Sequence, residues 1–291
     1  MFRILSKKDK ESLQRKGYIY EHLLCLYSSV SDTTALYNNF PIFFNSFGEA
    51  DIILYGFGEE KEDRYESVEE LSRLPINKLN IVSPTRLDRF PKVEVRYIDW
   101  DYHINLKEFD LDLKGSAYKH IRGSLKKAEK MGYTIRLSRE FTPKHVYIMS
   151  RYLSRHRFEA WDYEELLSLD RFFKEHDHGL LMEVYKDDGL MGFDVVDFFE
   201  DNRIMVVPLG IYLESPFISD FMMYKNLEFA RSRDYEWLDI GPTCGIVGLK
   251  RFKEKWLGKP KFKLYVQVLN IKPKRISTGK FSEEILTSYL S

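Results

Sequence analysis

The chain has 291 residues, 45 Lys and Arg balancing 45 Asp and Glu, 44% apolar and 15% aromatic residues, and two cysteines. That length suits one large or two ordinary domains, and with no fixed repeat and only 26 Gly and Pro neither disorder nor a solenoid is expected. The charge balance gives no global attraction to nucleic acid, yet it hides a segregation: residues 49–70 carry nine acidic and two basic side chains, residues 249–280 eleven basic and one acidic.

The longest uninterrupted apolar run, residues 205–213, contains Pro208 and Gly210. A membrane span needs ~20 apolar residues, so no integral membrane segment is expected. The N-terminus is charged from Arg3 onward, and the apolar patch after Tyr18 is broken by Glu21 and His22, so no signal-peptide core is read and a cytoplasmic setting is expected. Cys25 and Cys244 stand alone, and the seven histidines show no HExxH-type spacing, so no metal is expected.

In chain order, Ser6-x-x-Asp9 and Ser67-x-x-Glu70 read as capping boxes that open short helices. Strands are expected over residues 51–57, 78–82 and 93–98, the last with Val93, Val95 and Tyr97 alternating with Glu94 and Arg96. A short segment at 102–106 precedes a helix over 116–131, which Gly132 stops. A strand at 133–137 follows, and Thr142-Pro143 opens a helix to about residue 156, with another helix at about 162–175. Residues 180–185, 190–199 and 203–212 read as three antiparallel strands with turns at Asp187-Asp188-Gly189 and Asp201-Asn202. Ser219 is expected to cap a helix to residue 232, before a strand at 237–240, a helix at 247–256 and a strand at 261–269.

That order of elements is similar to the acyl-CoA N-acyltransferase (GNAT) fold. The segments Trp237-Leu238-Asp239-Ile240-Gly241, Gly248-Leu249 and Phe252-Lys253-x-Lys255-x-x-Gly258 resemble the C-terminal pattern of its FemAB-like branch. Lys114-Gly115 through Lys119, Arg122, Lys127 and Gly132-Tyr133 resemble the segment opening the second lobe of those proteins. The resemblance covers residues 101–270. It implies an α/β (α+β) fold with a mixed sheet flanked by helices and two GNAT-like lobes, the first reduced (residues 1–105) and the second fuller (106–291). It also implies acyl or aminoacyl transfer to an amine or hydroxyl. Acetyl-CoA enzymes carry a turn Q/R-x-x-G-x-G/A before the helix that here begins near Ser219. This chain has Glu214-Ser215-Pro216-Phe217-Ile218-Ser219-Asp220 instead, with no glycine for close backbone approach and a carboxylate where a pyrophosphate would lie. The favoured donor is therefore aminoacyl-tRNA, which FemAB-like proteins use. Acyl-CoA bound by an unconventional turn is the alternative, and a non-catalytic binding module on the same scaffold is the second.

Candidate site residues follow from position. Lys119, Arg122, Lys126 and Lys130 recur at spacings of three and four on one helix face, able to neutralise donor phosphates or only to solvate the helix. Lys250 and Lys253 belong to a second basic group read the same two ways. Asp239 ends a strand before Gly241-Pro242-Thr243, where a carboxylate could orient or deprotonate an incoming amine, or cap the turn. Tyr224 could protonate a leaving group or fill the core. His156 and Trp161 are candidates to line an acceptor pocket. Cys244, with no histidine near it in sequence, reads as a turn cysteine rather than a nucleophile.

Overall fold

The computed structural model describes residues 2–45, 48–57, 64–90, 92–155 and 168–271. In chain order the elements are β1 (Phe2–Ile4), α1 (Lys7–Gln14), α2 (Leu24–Val30), β2 (Thr33–Tyr37), β3 (Phe40–Phe44), β4 (Glu49–Ile53), α3 (Arg64–Leu71), β5 (Lys78–Ser83) and β6 (Val93–Asn105). They continue with α4 (Lys119–Lys130), β7 (Thr134–Ser138), α5 (Pro143–Leu153), α6 (Leu169–Glu175), β8 (Leu180–Lys186), β9 (Gly189–Phe199), β10 (Ile204–Tyr212), α7 (Ile218–Ser232), β11 (Trp237–Asp239), α8 (Val247–Lys255) and β12 (Lys259–Asn270). Two compact units result: among the described residues, one holds the chain to Asp101 and returns from Phe262, and the other runs from Tyr102 to Lys261.

In the first unit the strand order is β1-β2-β3-β4-β5-β12, antiparallel throughout except for the parallel β4–β5 pair. Asn38 and Asn39 join β2 to β3 with positive φ at both positions (44° and 63°), the type I′ geometry that matches strand twist. The period of two sorts β3 between two cores: Ile42 and Phe44 pack with Val68 and Leu71 of α3, whereas Phe43 packs with Ile19 and Leu24. Ser6 and Asp9 cap α1 reciprocally, the Asp9 N–H donating to Ser6 Oγ (3.2 Å) and the Ser6 N–H to Asp9 Oδ2 (3.1 Å). Ser67 does not open its helix. It lies inside α3 and is fully buried.

The second unit has strand order β6-β11-β10-β9-β8-β7. Ile121, Leu125 and Ala128 of α4 and Met222, Leu227 and Ala230 of α7 bury their faces in one core with Leu238, Ile240 and Trp256. Gly132 (φ 71°) closes α4, and Thr142 with Pro143 opens α5, with His145 completing a capping box. The β8–β9 hairpin turns on Asp187 and Asp188, both at positive φ. Two expectations need correction. β6 is one 13-residue strand rather than two pieces, because Asp99 and Asp101, which read as a break, are buried within it. α7 is preceded not by a capping Ser219 but by Phe217 in the left-handed conformation (φ 63°), with no side-chain cap.

Candidate active site

The site grows from the way β10 leaves its neighbours. β10 pairs with β11 in parallel for three residues, Ile204↔Trp237, Met205↔Leu238 and Val206↔Asp239. On its other edge its antiparallel register with β9 shifts between Val206 and Leu209, a stretch containing Pro208, which has no N–H to offer a ladder. The parallel pairing ends at the same level. The C-terminal ends of two parallel strands therefore part at Asp239, the kind of crevice in which open α/β sheets bind ligands.

Asp239 is fully buried at this parting point. Its Oδ1 accepts the Gly241 N–H (2.7 Å), and its Oδ2 lies 3.4 Å from Nε2 of buried His103 on the adjoining β6. The carboxylate thus shapes the turn after β11, the alternative role that its position before Gly241-Pro242 allows. Lys253 completes that turn. It is buried, and its ammonium donates to the carbonyls of Ile240, Gly241 (2.5 Å) and Pro242 (2.6 Å). Three converging carbonyl dipoles hold one charge in the interior, the hydrogen bonding a buried ammonium requires.

The first turn of α7 is occupied by the protein's own anion. Asp220 receives the Lys255 ammonium on both oxygens (2.6 and 2.7 Å) and the Trp256 indole N–H on Oδ1 (3.0 Å), while Lys255 also reaches Ser124 Oγ (3.3 Å) on α4. A carboxylate in this turn is favoured by the positive end of the helix dipole, and its oxygens are taken by Lys255 and Trp256. The preceding loop is pinned by Tyr133, whose hydroxyl donates to the Pro216 carbonyl (2.9 Å) and accepts from Ser215 Oγ (2.5 Å).

The cationic face of α4 divides by side chain. Lys119, Lys126 and Lys130 are exposed, but half-buried Arg122 donates to the carbonyls of Leu113 and Gly115 (2.7 Å) and so ties down the turn before the helix. A groove lies between α4 and the end of α8, lined by Lys119, His120 and Lys127 on one side and by Glu254, Lys255 and Leu257 on the other. Lys250 is exposed, 3.8 Å from Glu254. The Tyr224 hydroxyl donates to the Leu111 carbonyl (3.1 Å). Burial and then the Glu228 carboxylate hold its phenol above the usual range. Cys244 is half-buried in the loop before α8, at positive φ (50°). His156 and Trp161 lie outside the described residues.

The structure therefore gathers Asp239 and Lys253 around one turn and leaves Tyr224 and the α4 lysines elsewhere in the unit. Sequence reading missed His103, whose only signal was alternation in residues 102–106, and a group formed by buried Asp194 and Asn226 with half-buried Tyr212, whose signal was the pair of strand glycines Gly192 and Gly210.

No protein-family model matches the sequence, and a search of curated proteins finds no match. Solved structures do match. The C-terminal domain of a putative lysylphosphatidylglycerol synthetase from Agrobacterium fabrum superposes with a TM-score of 0.63 at 15% identity, covering 92% of this chain and 93% of that one. FemX matches with a TM-score of 0.60 at 11% identity, covering 93% and 97%. A tandem GNAT protein from the clavulanic acid biosynthesis pathway matches with a TM-score of 0.56 at 8% identity, covering 94% and 99%. The α/β architecture of this chain, a mixed sheet flanked by helices, is thus the GNAT-like fold that it shares with FemX and the lysylphosphatidylglycerol synthetase domain.

Proposed function

We propose that this protein is an acyltransferase that moves an aminoacyl group from aminoacyl-tRNA to an amine or hydroxyl acceptor. The observation that carries the choice of donor is Asp220. In a fold whose acetyl-CoA enzymes seat a pyrophosphate at this helix start, the first turn here carries a carboxylate, clamped by Lys255 and Trp256, that would repel such a ligand. The names of the matched lysylphosphatidylglycerol synthetase domain and FemX, with the FemAB-like sequence pattern, support the aminoacyl reading.

In this reading the exposed Lys119, Lys126 and Lys130 contact phosphates of the donor, with Lys250 as a further contact. Lys253 and Asp239 act as positioning residues that fix the turn 240–242 at the parted strand ends. The acceptor attacks the ester carbonyl directly, without a covalent enzyme intermediate. Rate acceleration comes from holding the two reactants together and from hydrogen bonds to the oxyanion as it develops. Arg122, bonded to the carbonyls of Leu113 and Gly115, and Tyr224, bonded to that of Leu111, support the segment before α4.

A thermal-shift titration tests the donor. Bulk aminoacyl-tRNA, acetyl-CoA and a long-chain acyl-CoA are added separately at 50 and 200 mM salt, because a ligand that binds only the native state raises the melting temperature. The reading expects stabilisation by aminoacyl-tRNA that fades with salt, and none by CoA compounds. Stabilisation by CoA compounds alone would make the protein an acyl-CoA N-acyltransferase.

A further inference from the structure

The proposed reaction needs a group to take the proton of the incoming nucleophile, and Asp239 is enclosed by the Gly241 N–H and His103. A second buried carboxylate lies on the other side of the strand that parts. Asp194 of β9 is 1% exposed and sits directly across from Gly210 of β10. Its Oδ1 accepts the Tyr212 hydroxyl, and its Oδ2 accepts the Asn226 Nδ2 hydrogen (2.6 Å) from α7.

The sequence makes room for this group at two places. A Cβ on Gly210 would stand 2.6 Å from Asp194 Oδ1 and 2.7 Å from the Tyr212 hydroxyl, and a Cβ on Gly192 would stand 2.6 Å from the Tyr212 ring. The tyrosine lies across both glycines, so neither position tolerates a side chain while the bond to Asp194 is kept. Asn226 is 1% exposed, and its Oδ1 has no hydrogen-bond partner among the described residues. Its amide is therefore held in the interior by Asp194, at the expense of one unsatisfied acceptor. Tyr212 is the half-buried member. It closes β10 beyond the last residue paired with β11 and leads into the loop that Tyr133 pins before α7.

We infer that Tyr212 and Asp194 form a proton relay for the transfer reaction, with Tyr212 as the catalytic residue that meets the nucleophile and Asp194, oriented by Asn226, as the positioning residue that receives the proton. The inference rests on the transferase reading. As the acceptor nitrogen or oxygen bonds to the ester carbonyl carbon, its proton passes to Tyr212 Oη, and the phenolic proton passes to Asp194 Oδ1. When the ester C–O bond breaks, Asp194 returns a proton through Tyr212 to the departing ribose oxygen, so the enzyme ends as it began.

The electrostatics agree with this division of labour. Burial, and then the Asp194 carboxylate, hold the Tyr212 phenol well above its ordinary range, so it cannot act as a base alone. Burial pushes Asp194 up to about 7, opposed by its hydrogen bonds from Tyr212 and Asn226, which places it where a proton acceptor at neutral pH works best. Tyr152 of α5 is a further titratable group acting on Tyr212.

The test compares wild type with Asp194→Asn and Tyr212→Phe in full-length protein. Loss of label from bulk radiolabelled aminoacyl-tRNA is followed with ethanolamine or glycerol as acceptor, from pH 5 to 9, alongside donor affinity. The relay predicts a kcat loss on the order of 100-fold in both variants, with donor affinity within about threefold of wild type. It also predicts that Asp194→Asn loses the rise in rate centred near neutral pH. Tyr212→Phe keeps the Asp194–Asn226 bond and decides the matter if Asp194→Asn fails to fold. Wild-type kcat and pH profile in Tyr212→Phe would overturn the relay alone. A wild-type protein that neither binds nor deacylates aminoacyl-tRNA would overturn the aminoacyl-tRNA reading, and with it the relay as written for a ribose ester.

Discussion

Replacing Asp220 by Asn separates the structural from the functional meaning of the anion at the start of α7. The amide keeps the shape of the side chain and can still accept from the Trp256 indole, but it gives up the ion pair that Lys255 makes with both oxygens at 2.6 and 2.7 Å. The Asp220 side chain is 11% exposed and that of Lys255 29%, so the lysine keeps some contact with water and the full penalty of a stranded buried charge does not apply. Loss of a charge-assisted hydrogen bond in such a setting costs about 2 kcal/mol, or about 4–8 °C in melting temperature for a domain of this class. The variant also frees a helix N-terminus and an ammonium together. Pyrophosphate or CoA at ten times its dissociation constant would then return about 1.4 kcal/mol to the variant and nothing to wild type. Differential scanning calorimetry with and without each ligand reads both effects. If Asp220→Asn melts within 1 °C of wild type, roughly the scatter of such scans and well under the shift from about 2 kcal/mol, the ion pair is not structural. If CoA compounds stabilise both proteins equally, Asp220 does not occupy an anion site.

Lys253→Met should cost about 3 kcal/mol by taking the ammonium from the carbonyls of Ile240, Gly241 and Pro242, of which Gly241 keeps the Tyr102 N–H, and denaturant melts should show it even without substrate. Changing Lys119, Lys126 and Lys130 together to Gln should leave stability within about 0.5 kcal/mol, because all three are exposed. It should also reduce the slope of log affinity against log salt for tRNA by about 2.7, worth roughly 40-fold between 50 and 200 mM salt; an unchanged slope would remove α4 from the donor site. The folded-state value of Asp194, raised from 3.8 to about 7, makes the native protein bind a proton that the unfolded chain has released. Its stabilising contribution is complete below pH 3.8 and is lost as pH rises through 7, by about 4 kcal/mol in order of magnitude. Asp194→Asn should therefore flatten the decline in stability between pH 4 and 8. Asp51, raised to about 6 chiefly by burial, contributes a smaller decline of the same sign that remains in the variant.

From the end of β6 onward the elements follow the sequence expectations to within a few residues at each end among the described residues, because the signals there are strong and local. Gly132 at positive φ, the Thr142-Pro143 cap and the Asp187-Asp188 turn each have one favourable backbone solution. The first 45 residues were harder to read. All five residues of β3, Phe40–Phe44, are buried, so no alternation marks the strand, and the hairpin at Asn38-Asn39 was not read from the sequence. Asp239 was legible as a strand-ending carboxylate next to a glycine turn. Its partner His103 was not, since it lies 136 positions away in sequence and meets Asp239 only through the β6–β11 register. Asp194, in the middle of an apolar strand, draws its partners from β10 and α7, and no local pattern announces such a meeting. Lys253 was read with the basic group of α8 because charge alone is visible in sequence; that its ammonium points inward to three carbonyls is a tertiary fact.

The most direct test of the central claim measures turnover with both donor classes in parallel on the same preparation. Release of free tRNA from bulk aminoacyl-tRNA and release of free thiol from acetyl-CoA and a long-chain acyl-CoA are followed, each with amine and hydroxyl acceptors present. The account predicts acceptor-dependent deacylation of aminoacyl-tRNA, suppressed by 200 mM salt, and no thiol release above background. Thiol release from acyl-CoA with aminoacyl-tRNA untouched would contradict it.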